Sequence, residues 1–149
     1  MISPNELRIG NHVLIDQNLR QVSMINCDDG FADVPSIGFA QADESAGYAS
    51  CSSDRVQSCP LNEGLLQSLG FVFHPHFHFW QKITTSGDKR SEMNIDLDMN
   101  IIDFMRRPIV RKLSSLHQLQ NIYFFLHGQE LSLLPATPAV FKRAAALPA

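Results

Sequence analysis

The chain has 149 residues, of which 44% are hydrophobic and 18% charged, and its formal net charge is −3. That length suits one domain with a real core, and the composition excludes a disordered chain. No apolar run reaches the ~18 residues of a membrane-spanning helix, and the small negative charge gives no general pull towards nucleic acid.

The start, Met1-Ile-Ser-Pro-Asn-Glu, does not read as a secretory leader. The three cysteines, Cys27, Cys51 and Cys59, are odd in number and fit no zinc spacing. Free thiols in a reducing, cytoplasmic setting are expected. Charge is uneven: residues 1–104 carry 6 Lys/Arg against 14 Asp/Glu, and residues 105–149 carry 6 against 1. The basic third either meets an acidic partner or pairs with the acidic part of its own fold; the second reading is preferred.

In chain order, Leu7, Ile9, Val13 and Ile15 read as strand, with a turn at Gly10-Asn11. Gln17-Asn18 breaks the run, Gln21 to Ile25 resumes it, and Asp28-Asp29-Gly30 is a further turn. Residues 33–59 are rich in Ser, Ala and Asp and suit edge strands and a loop. A short helix follows at about 62–69. Asn62 is its N-cap, Leu61 and Leu66 its hydrophobic staple, and Gly70 its stop.

Phe71 to Lys82 reads as one strand, with Phe73, Phe77 and Phe79 on one face and His74, His76, His78 and Trp80 on the other. Met93, Ile95, Leu97, Met99 and Ile101 alternate with Asn94, Asp96, Asp98 and Asn100, the pattern of a half-buried strand. Joining the two apolar faces predicts a hairpin turning at 86–88, with Lys82 opposite Glu92, His78 opposite Asp96 and His76 opposite Asp98.

Ser115 with Gln118 forms a capping-box pattern, and Leu116, Leu119, Ile122, Tyr123 and Leu126 form a helical stripe ended by Gly128. Phe124 and Phe125 fall outside the stripe, so this helix is over-apolar for one buried face. Residues 1–134 thus predict a single α+β domain, an antiparallel meander or curled sheet packed against this amphipathic helix. Residues 135–149 are a C-terminal extension, a short helix or a tail.

Three stretches carry a resemblance: Asn5-Glu-Leu-Arg-Ile-Gly-Asn11, Pro60-Leu-Asn-Glu-Gly-Leu-Leu-Gln-Ser-Leu-Gly-Phe71, and Leu116-His-Gln-Leu-Gln-Asn-Ile-Tyr-Phe-Phe-Leu-His-Gly-Gln-Glu-Leu131. Together they resemble small uncharacterised proteins of Bacteroidetes genomes and their phages or mobile elements. The 33–59 segment is longer than in that family, and the tail beyond Leu131 is extra. The resemblance implies a bacterial or phage cytoplasmic setting and no activity or catalytic residue.

Three constellations could carry chemistry. His74, His76 and His78, joined by Asp96 and Asp98 in the expected hairpin, would offer nitrogen and oxygen ligands to a divalent metal such as zinc. The blander reading is a solvated face of cross-strand His–Asp pairs. His117, Gln118, Gln120 and Asn121 form a polar helix edge that could read a peptide or bases, but such an edge is more often an exposed face or caps neighbouring backbone. Arg106, Arg107, Arg111 and Lys112 could touch phosphates, but the preferred reading makes Ile109 to Lys112 a strand beside acidic neighbours. The cysteines lie at no informative spacing from any histidine, and no phosphate loop or nucleophile elbow is present.

The expected function is therefore a non-enzymatic interaction or accessory module of phage or mobile-element type, without a cofactor. Its homo-oligomer or protein partner would contact Phe124, Phe125, His117, Gln120 or Asn121. The alternatives are a metal-binding protein or metal-dependent enzyme on the histidine hairpin and, more weakly, nucleic-acid binding through residues 106–121.

Overall fold

The computed structural model describes residues 2–26, 35–40 and 47–134. The fold is α+β, with two five-stranded antiparallel sheets and a C-terminal helix, so the strands divide into two sheets where the sequence suggests one. Two compact units are distinguished: Met1–Cys59 with Ser115–Asn121, and Pro60–Ser114 with the described residues from Ile122 onwards. The expected turn at Asp28–Gly30, Cys27 and the 135–149 extension lie outside the described residues.

In the first unit the strands are β1 (His12–Ile15), β2 (Asn18–Asn26), β3 (Ser36–Ala40), β4 (Tyr48–Ser52) and β5 (Val56–Gln57), in the order β4-β3-β2-β1-β5. β1 and β2 join through Asp16 and Gln17, both at positive φ, as a tight hairpin of right-handed twist requires. Val13, Ile15, Val22, Ile37, Phe39 and Val56 form the core, with the buried thiol of Cys51 among them. Leu7 and Ile9 are not in a strand, and a 3-10 turn at Pro4–Glu6 precedes them; the expected turn at Gly10-Asn11 is present, with Gly10 at φ 100° and the Asn11 N–H donating to the Arg8 carbonyl.

In the second unit α1 (Glu63–Ser68) ends as its sequence indicates. The Asn62 side chain accepts from the Leu65 N–H at 2.8 Å, and Gly70 at φ 89° lets the Phe71 N–H return to the Leu66 carbonyl. The second sheet is a strict meander of β6 (Val72–His74), β7 (Phe79–Ser86), β8 (Lys89–Asp96), β9 (Ile101–Ile102) and β10 (Pro108–Val110).

Its register corrects the expectation. β7 pairs with β8 as Trp80↔Ile95 and Ser86↔Lys89, leaving a two-residue turn at Gly87-Asp88. Lys82 faces Met93 instead of Glu92. A one-residue slip exchanges the faces, so Trp80 joins the buried Met93 and Ile95. Phe79 and Gln81 turn to the outer face with Asn94, which pairs on its other side with Ile102.

Both long alternating runs are broken by turns. Pro75–His78 reverses the chain between β6 and β7, and Asp96 to Asn100 reverses it between β8 and β9. Asp96 makes the second turn: its carboxylate accepts from the Asp98 and Asn100 backbone N–H groups and from Asn100 Nδ2. The same device recurs seven residues on, where Asp103 accepts from the Met105 and Arg107 N–H groups and from Arg107 Nε. Met99 and Arg106 take positive φ at matching places. The hydrogen bonds from Arg107, foremost its backbone N–H, hold the Asp103 carboxyl below the usual range.

The helix α2 (Leu116–His127) closes the described structure, and Gly128 at φ 67° ends it. The expected capping box is not made: Ser115 Oγ is buried without a hydrogen-bond partner, and the Leu116 N–H donates to the Cys59 carbonyl.

Candidate functional site

The outer face of the second sheet holds a cleft of about 220 Å³. Two turns fold over it. The 75–78 turn brings Phe77, which stacks on Phe79 with ring centroids 6.0 Å apart. The Asp103–Arg107 turn brings Phe104 and Arg106, and the Arg106 guanidinium lies 5.0 Å from the Phe77 ring centroid. Phe104 is 86% exposed and Phe77 54%, although a large apolar ring in water costs roughly 1.5–3 kcal/mol relative to burial.

Asn94 lines the cleft between its strand neighbours Gln81 and Ile102. It is only 8% exposed, and its Oδ1 is sealed from solvent without a hydrogen-bond partner. Beside it a polar relay crosses three strands. His74 Nε2 donates to Gln81 Oε1 at 3.0 Å, and Gln81 Nε2 donates to Glu92 Oε2 at 3.0 Å. The cleft thus combines aromatic walls, an unpaired carboxamide, two carboxylates (Glu92 and the turn-bound Asp103) and one guanidinium.

The candidate metal cluster is not assembled, and neither are the cross-strand His78–Asp96 and His76–Asp98 pairs of the blander reading, because Asp96 faces Phe79. His74 sits in β6, bound to Gln81, while His76 and His78 fall in the reversing turn, His78 at φ 56°. Asp96 is committed to its own turn. No group of three or more metal-ligating side chains occurs among the described residues. The physical reason is Pro75, which converts the histidine run from a strand with one shared face into a bend.

The polar edge of α2 is not an exposed surface; Gln120 and Asn121 instead bond neighbouring backbone, the other reading open to it. His117 and Gln120 are buried, and Asn121 is half-buried. Gln120 Oε1 accepts from the His12 N–H at 2.8 Å, and its amide nitrogen lies 2.9 Å from His12 Nδ1. Asn121 bonds both the Asn11 side chain and the Glu6 carbonyl. Burial pushes the His117 imidazole below its ordinary pKa, partly opposed by Glu6. In the second half of α2, Phe125 is 87% exposed and Leu126 59%, whereas the Tyr123 hydroxyl is hydrogen-bonded to Thr84.

Cys51 and Cys59 are free and buried, and desolvation raises both thiols, Cys59 to about 11. No helix among the described residues is long and apolar enough to cross a membrane. Comparison with family models, curated proteins and solved structures finds no match to this chain.

Of the cleft residues, Arg106 stands out in the sequence as a cation, and Phe77, Phe79 and Asn94 only as members of alternating faces. Phe79, Gln81 and Asn94 could have been grouped only with the correct register, which depends on recognising Gly87-Asp88 as the complete turn.

Proposed function

We propose that the chain is a non-enzymatic binding module that takes its ligand in the cleft over Asn94. One observation carries the reading: a nearly buried amide acceptor stands unpaired beneath exposed phenylalanines. A buried acceptor left unmade costs about 1–3 kcal/mol, a cost the fold carries at the floor of the cleft. Apolar walls with a few converging polar groups are the usual make-up of a recognition site. The resemblance in Asn5–Asn11, Pro60–Phe71 and Leu116–Leu131 supports a cytoplasmic accessory role of phage or mobile-element type. Amide-resolved NMR with small planar heteroaromatic compounds, such as indole and benzimidazole, tests the reading. Shifts should concentrate at 77–81, 92–94 and 102–106; shifts centred elsewhere, or none, would refute it.

A second reading rests on α2. Exposed Phe125 and Leu126 favour a second copy or a protein partner on that face. Sedimentation should then show concentration-dependent association that Phe125→Glu abolishes; a strict monomer at all concentrations speaks against self-association.

A further inference from the structure

We infer that the cleft takes a base of single-stranded nucleic acid, with its ring against Phe77 and Phe104, N–H donors towards Glu92, and phosphates on Arg106, Arg111 and Lys112. This inference rests on the cleft being the recognition site.

The chemistry narrows the occupant step by step. The Glu92 carboxylate that lines the cleft can only accept, so the occupant must donate. The phenylalanine walls ask for a flat, apolar body. Asp103 also lines the cleft but is neutralised by its ion pair with Arg107, so Arg106 and Glu92 set the local charge, and Arg106 opposes a lysine or arginine side chain. Glu92 opposes a bare anion. A neutral planar ring with N–H edges and an anionic tail meets all four conditions, and a nucleotide has that form. Every base has a face that stacks on an aromatic side chain.

The surroundings favour a strand over a free nucleotide. Arg106 stands just before β10, and Arg111 and Lys112 directly follow it. The latter two line a second hollow of about 570 Å³ with Asp98, Asn100 and Pro108. Among the described residues Arg106, Arg111 and Lys112 form no ion pair. A three-residue strand spans about 10 Å, so these cations mark a path longer than one nucleotide. Duplex bases are stacked on their neighbours and cannot offer their faces to the phenylalanines, so the strand must be single. The acidic balance of the chain resides in residues 1–59, with 3 Lys/Arg against 8 Asp/Glu; residues 105–112 hold four cations and no acid.

The test is fluorescence anisotropy with labelled DNA and RNA strands of about 12 nucleotides, at about 50 and 200 mM salt, with mononucleotides as competitors. Saturable binding is expected, with a log–log salt slope of about −2 for three phosphate contacts. Phe77→Ala and Phe104→Ala, both at exposed positions, should each weaken binding by about 5- to 150-fold, and Phe104→Tyr should restore most of it. Arg111→Ala with Lys112→Ala should flatten the salt slope by about 1. Binding indifferent to the phenylalanine variants would overturn the stacking assignment. Mononucleotides binding as tightly as strands would overturn the strand assignment. No strand binding at low salt, while planar compounds still shift the cleft amides, would overturn the ligand class and leave the recognition site standing. Failure of both would remove the site itself.

Discussion

Asn11 Nδ2 donates to Asn121 Oδ1 at 2.8 Å, joining two residues 110 positions apart. Asn11 is fully buried, and its Oδ1 also accepts from the Arg8 N–H at 2.6 Å. Asn121 in turn donates to the Glu6 carbonyl. The first and last of the three stretches that carry the family resemblance therefore meet through these amides. Asn11→Ala and Asn121→Ala should each cost about 1–3 kcal/mol by urea unfolding. The double variant should cost clearly less than their sum, because each change strands the other's partner.

Acid should weaken the fold. Burial lowers the imidazole pKa of both His117 and His127, so each resists protonation in the native state. The unfolded chain, with histidine near its ordinary value of ~6.5, binds more protons below that pH. Stability is then fully present above ~6.5 and declines as pH falls from there towards the lower native values. Thermal unfolding between about pH 7.5 and 5 should show this decline, and His117→Gln should flatten it. A stability that rises on acidification through this window would contradict the assignment.

Gly70 should resist replacement. It sits at φ 89°, and an added Cβ would come within 2.7 Å of Lys82 Nζ, which donates to the Leu69 carbonyl. Left-handed backbone costs a non-glycine residue roughly 1–2 kcal/mol, and displacing the half-buried ammonium adds to it. Gly70→Ala should lower the unfolding free energy by at least that amount, as read from the denaturant midpoint.

Thiol chemistry should report burial. With Cys27→Ser removing the cysteine outside the described residues, a disulfide reagent at mildly alkaline pH should label neither Cys51 nor Cys59 in the native protein. Both thiols are buried and raised above their ordinary value, and only the thiolate attacks. Both should react promptly in denaturant. Fast native labelling would show a looser first unit than described.

The ends of α1 were legible because their signals are local. Asn62 caps its own helix, and Gly70 stops it within two residues. The second sheet was less legible. Met93 to Ile101 alternates without interruption, yet Asp96 ends the strand by wrapping its carboxylate around the next four residues, with Met99 where a glycine would announce a turn. That hidden turn and the two-residue Gly87-Asp88 turn account for the register error. The polar residues of α2 could not be assigned because their partners, His12, Asn11 and Glu6, lie more than 100 residues away. The cleft inherits both difficulties, since β7, β8 and two loops meet only once the register is right.

Asn94 offers the most direct measurement. If its carboxamide is kept for a ligand, Asn94→Leu removes an unmet acceptor and substitutes an apolar group of similar size. Urea unfolding of Asn94→Leu beside the unaltered chain should then show an equal or higher midpoint, while the planar compounds lose their shifts at the cleft. A loss of stability beyond ~1 kcal/mol, with cleft binding intact, would show that the amide serves the fold and contradict a ligand site over Asn94.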